Sequence, residues 1–137
     1  MGNRSTVQTV AFVFGGIYLV VGVLGFIGPL IGNGGGLITI SQDKHALLGL
    51  ADVNLLHNLV HLVIGVAGLA AASTVANSRT FCRVFGVVLL LVGVVGIFVS
   101  NLFGVLPLGG ADIAIHLASG AVLAYFGVAS PAEARAA

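Results

Sequence analysis

The chain has 137 residues, of which 58% are hydrophobic and only 7% charged, and its mean hydropathy is +1.18. A water-soluble domain carries about 25% charged residues, so this composition excludes one; the length allows a single domain. A net charge of +1 with five Lys and Arg leaves no basic face for nucleic acid, and the lone cysteine, Cys82, excludes an intrachain disulfide, a CxxC pair and a cysteine metal cage. Cys82 is read as a small apolar packing residue.

In chain order, the first apolar stretch, residues 7–30, is long enough to cross about 30 Å of hydrocarbon. It lacks an A-x-A cleavage pattern and runs into Pro29, so it is read as a retained anchor rather than a leader. The connection at 31–51 holds the turn signal Asn33-Gly34-Gly35-Gly36 and the segment Leu37-Ile38-Thr39-Ile40, which is too short to span and suits an interface. Ser41 is placed to cap a short helix through Asp43, Lys44 and His45, and His45 is read as interfacial or solvated.

Further spans are predicted at 52–72, 81–100 and 112–128. Asp52 and Asp112 stand at predicted helix starts, where the helix dipole favours a carboxylate, and Pro29 and Pro107 close the first and third spans. Arg4, Arg79, Arg83 and Arg135 fall on one side of this topology and Lys44 on the other. The positive-inside rule then places both termini in the cytoplasm. The expected architecture is all-α, an integral membrane four-helix bundle in the inner (plasma) membrane with the bilayer as its principal partner.

A shift of 71 positions lays Val13-Phe14-Gly15, Gly22 and Gly25 over Val84-Phe85-Gly86, Gly93 and Gly96. A shift of 55 lays His61-Leu62 and Gly65 over His116-Leu117 and Gly120. The pattern predicts two helical hairpins of like orientation, related by a pseudo-two-fold axis along the membrane normal. The glycines suit close helix packing.

Ionisable side chains inside spans are costly and mark functional sites. Here His57, His61 and Gly65 step by four residues in the second span, and Asp112, His116 and Gly120 do the same in the fourth. The run Asn54-Leu55-Leu56-His57-Asn58-Leu59-Val60-His61, followed by Gly65 and Gly68, resembles the signature of a family of small bacterial four-helix membrane proteins. The lead-in Leu48-Gly49-Leu50 and the later Asp112-x-x-x-His116-Leu117 extend the likeness to nearly the whole chain. That family is a domain of unknown function, number 4383; the resemblance implies an integral four-helix membrane fold and no established activity.

Several readings of the polar face stay open. Asn54, His57, Asn58, His61, Asp112 and His116 form a polar seam that joins the second and fourth helices and fixes their register, in a structural or accessory-subunit role within a larger complex or a homo-oligomer. Alternatively, His61 and His116 ligate a b-type haem, with Gly65 and Gly120 making room for the macrocycle. A third reading gives His57, His61, His116 and Asp112 to zinc or another divalent metal. A fourth is a proton or solute pathway through an oligomer. No Ser/His/Asp order, phosphate-binding loop or paired carboxylates suggest an enzyme.

Overall fold

The computed structural model describes residues 4–32, 37–38 and 40–131. It is mainly helical, with α1 at Thr6–Leu24, α2 at Leu55–Ala71, α3 at Val75–Phe98 and α4 at Ala111–Ala129. Two small antiparallel hairpins, absent from the all-α expectation, join them at one end of the bundle. In the first, β1 (His45–Leu47) pairs with β2 (Ala51–Val53); in the second, β3 (Asn101–Leu102) pairs with β4 (Leu106–Pro107).

Three helices, α1, α3 and α4, are long and apolar enough to cross a membrane. At 17 residues α2 is shorter, about 25 Å by the helical rise. Outward positions on all four are apolar and exposed, among them Ile17, Val63, Leu91 and Val128. Such a surface is compatible with hydrocarbon.

Capping side chains set most of the helix starts. Ser5 and Gln8 form a reciprocal capping box on α1, Asn54 caps α2 through the His57 N–H, and Thr74 caps α3 through the Asn77 N–H. These caps also account for departures from the sequence reading. Helix α3 starts six residues before position 81, because Thr74 closes a connection of only three residues after α2. Helix α1 ends at Leu24 rather than near residue 30: Gly25 turns the chain, and Pro29 starts a separate 3₁₀ turn, Gly28–Ile31. Asp52 is not at a helix start but in β2, where its carboxylate lies 3.1 Å from the Lys44 ammonium.

The expected short helix from Ser41 is not formed. The Ser41 hydroxyl accepts from the Asp43 N–H, a local turn, and the chain enters β1 at His45. The Asn33–Gly36 turn, Thr39 and Arg135 lie outside the described residues. Of the interfacial segment, Ile38 bridges to Ile27 and the Leu37 carbonyl accepts from the Gly28 N–H, folding the connection back on the end of α1.

The bundle is two tight antiparallel pairs, α1 with α2 and α3 with α4, with thinner contact between the pairs. Backbone meets backbone within each pair. A Cβ on Gly15 would lie 2.6 Å from the Leu69 nitrogen, and one on Gly65 would lie 2.5 Å from that of Leu19. Across the second pair, Gly86 meets Ala124 and Gly120 meets Leu90 in the same way. Between the pairs, Ala11, Ile64, Phe81, Cys82, Leu89 and Leu123 form one apolar core, with Cys82 wholly buried in it.

Gly65→Val forces α1 off α2 and is expected to destabilise the protein by about 1–3 kcal/mol, lowering its thermal midpoint in detergent. Gly16→Ala, where a Cβ meets nothing within 4 Å, is expected to leave the midpoint unchanged.

Candidate functional site

The site lies between the first turns of α2 and α4, beneath the two β-hairpins. The backbones of these two helices make little direct contact, since each is drawn to its own partner, and side chains fill the space between. From α2 come His57 and His61, four residues apart and so on one face; from α4 come Asp112 and His116 with the same spacing. Asp112 is in the first turn of its helix, where the dipole favours it.

The four side chains converge. His57 Nε2 and His61 Nε2 are 3.2 Å apart, a hydrogen bond in which one ring supplies the proton and the other the lone pair. The His57 and His116 rings stack at 6.0 Å between centroids, and the His61 and His116 rings stand edge to face at 6.2 Å. One nitrogen from each of the three histidines falls within 4.8 Å of the others. Asp112 Oδ2 is 3.5 Å from His116 Nδ1 and 4.0 Å from His57 Nε2. All four residues are between 2% and 6% exposed.

Buried polar atoms are normally paired, and here they are not. The Nδ1 atoms of His57, His61 and His116 and the Oδ2 atom of Asp112 all lack a hydrogen-bond partner. Four such atoms in one small volume identify a place where protein groups alone do not satisfy one another.

The remaining predicted site residues separate from this cluster. Asn54 and Asn58 do not bond α4. Asn54 caps its own helix and donates to the carbonyls of Val105 and Gln42, tying α2 to both end connections. Asn58 donates to the Gly25 carbonyl at 2.8 Å, holding the end of α1. Gly65 and Gly120 do not open a slot for a macrocycle, because Leu19 and Leu90 occupy the space beside them. His45 is in β1, near Ile31, Ser41 and Asn58, apart from the other three histidines.

Two residues of the site were not anticipated from the sequence. The Tyr18 hydroxyl meets the Ser119 hydroxyl at 2.9 Å, and the Tyr18 ring sits edge-on to His61 at 5.2 Å. Ser119 also donates to the Ile115 carbonyl, so the proton shared between the two hydroxyls comes from Tyr18. The available signals were a tyrosine inside the first apolar stretch and a serine three residues beyond His116. Beside them a cavity of about 380 Å³ runs between α1 and α4, lined by apolar side chains, with His61, His116 and Asp112 at its inner end.

Residues 8–129 match the family described as Domain of unknown function (DUF4383). The chain belongs to this family. No curated protein and no solved structure matches it.

The two asparagines serve the fold. Asn58→Ala strands the Gly25 carbonyl and is expected to cost about 1–3 kcal/mol, read as a lowered thermal midpoint in detergent.

Proposed function

We propose that this chain is a four-span inner-membrane protein whose buried cluster binds one divalent first-row metal ion, zinc foremost. The observation that carries this reading is the convergence of two i, i+4 pairs, His57 with His61 and Asp112 with His116, one from each helical pair. Three imidazoles are a ligand set that zinc accepts with a fourth position open, and the Asp112 carboxylate, 3.5 Å from His116 Nδ1 and 4.0 Å from His57 Nε2, stands beside them as a charge partner. Tetrahedral zinc at about 2.0 Å from each nitrogen places neighbouring nitrogens about 3.3 Å apart; the His57 and His61 Nε2 atoms are 3.2 Å apart. A metal would replace the shared proton there and leave both Nδ1 atoms as N–H donors.

The other readings draw less support. A haem between His61 and His116 would have to displace His57, whose nitrogen lies against that of His61, and the glycines meant to admit it are covered. The polar seam between α2 and α4 draws little support from Asn54 and Asn58, which bond the end connections and α1, while the Tyr18–Ser119 hydrogen bond joins α1 to α4. The reading is of a binding protein, without catalysis.

We also read the two helical pairs as copies of one unit. The shifts of 71 and 55 that align the sequence also align the contacts: Gly22 on Leu62 recurs as Gly93 on Leu117, and Gly65 on Leu19 recurs as Gly120 on Leu90. The β-hairpins join the pattern, since Leu48-Gly49 and Phe103-Gly104, again 55 apart, turn with matched positive φ values of 52° and 71° against 54° and 74°. On this reading His61 and His116 are equivalent, as are His57 and Asp112, and the ion sits on the pseudo-axis. The proposed orientation, both termini cytoplasmic, is supported by Arg79 and Arg83 on the first turns of α3, at the end opposite Lys44.

Metal analysis of protein purified without chelators is expected to give close to one zinc per chain, falling to background in His61→Ala and His116→Ala and retained in Asn58→Ala. A visible spectrum with a Soret band, lost in the same histidine variants, would instead establish the haem reading. For orientation, a reporter fused at Lys44 is expected to be active only outside the cytoplasm, and activity inside would reverse the topology.

A further inference from the structure

The cavity between α1 and α4 joins two chemically different environments. Its mouth faces the lipid side, where Ile17 is 50% and Ile115 49% exposed, and its walls include Phe14, Val21 and Val122. Its inner end is formed by His61, His116 and Asp112, all more than nine-tenths buried and each with a polar atom that no protein group satisfies. At about 380 Å³ it falls within the range of small-ligand sites. A ligand that fits has an apolar tail, reaches the site from the bilayer, and carries a compact polar head.

Charge selects the head, given the metal-binding reading above, on which this inference rests. A divalent ion with three neutral imidazoles and the Asp112 carboxylate carries one net positive charge. An uncompensated charge in low dielectric is costly. One monoanion cancels it, whereas an alcohol or a ketone brings no charge and a phosphate monoester brings too much. The wall gives little to a neutral head, because the Tyr18 and Ser119 hydroxyl protons are already donated, to Ser119 and to the Ile115 carbonyl. We propose that this cavity binds a single-tailed carboxylate of the fatty-acid class, its head on the ion held by His57, His61 and His116 and its tail between α1 and α4 toward the lipid.

The test uses the zinc-loaded full chain in phosphatidylcholine nanodiscs, titrated with palmitate labelled with ¹³C at the carboxyl carbon. The expected result is one saturable site per chain, seen as a displaced carboxyl resonance. Binding should weaken by roughly tenfold or more, about 1.4 kcal/mol per decade, in zinc-free protein and in Ala118→Phe or Val122→Phe, which fill the cavity. Zinc content near one per chain in either variant certifies that the site is still assembled. Hexadecanol, equal in tail and lacking charge, should not compete. Zinc at one per chain with palmitate behaving as in protein-free discs overturns the proposal and leaves the metal reading intact. Palmitate bound equally well without zinc overturns the link between carboxylate and ion. Failure to bind zinc at all removes the metal reading and this inference with it.

Discussion

Lipid tails are as apolar as leucine, so helices in a bilayer gain nothing from hiding apolar surface and must find cohesion in close packing. This chain finds it at glycine. Gly15, Gly22 and Gly65 bring α1 against α2 at backbone distance, and Gly86, Gly93 and Gly120 do the same for α3 and α4. Each helix is thereby committed to one neighbour. The bundle is therefore two stiff pairs with a looser seam between them, and the ionisable side chains stand in that seam. Had α2 and α4 been drawn equally close, three imidazoles and a carboxylate from opposite sides would have had no room to meet.

The seam is divided by chemistry. Toward the middle of the bundle it is apolar, with Ile64 and Leu89 in contact with the shared core. Toward the end that carries the β-hairpins it is polar, and the polar groups fall into two kinds. Asn54, Asn58, Tyr18 and Ser119 spend their donors on carbonyls or on each other. The histidines and Asp112 keep atoms in reserve, as does the Oδ1 of Asn58. What sets the second kind apart is convergence: the three histidines and Asp112 come from both helical pairs to one point, and that gathering carries the functional reading.

Much of this was legible in the sequence, and the reasons for success and failure are physical. Hydropathy located the four helices, and the i, i+4 spacing of His57 with His61 and of Asp112 with His116 placed each pair on one helical face. The same spacing misled for Gly65 and Gly120. Four residues advance an α-helix about 40° past a full turn, so two steps from His57 to Gly65 carry the stripe from the seam round to α1. The partners of Asn54 and Asn58 depend on where the connections fold, which periodicity does not report. The β-hairpins were hidden for a related reason. Their strands are two or three residues long, and Leu48 and Phe103 adopt positive φ, a conformation with no signature in a branched or aromatic side chain.

The two β-hairpins are not independent ornaments. Ala51 bridges to Gly110, and the Ala111 N–H donates to the Leu50 carbonyl, so the end connection of one helical pair is stitched to the start of α4 in the other. Ala51 and Val53 also roof the cavity that reaches the histidines. The wall over the cluster is therefore held by backbone as well as by side chains. Because that link runs between main-chain atoms, substituting a side chain of the cluster removes none of its hydrogen bonds, and the two helical pairs stay joined at this end whichever histidine is replaced.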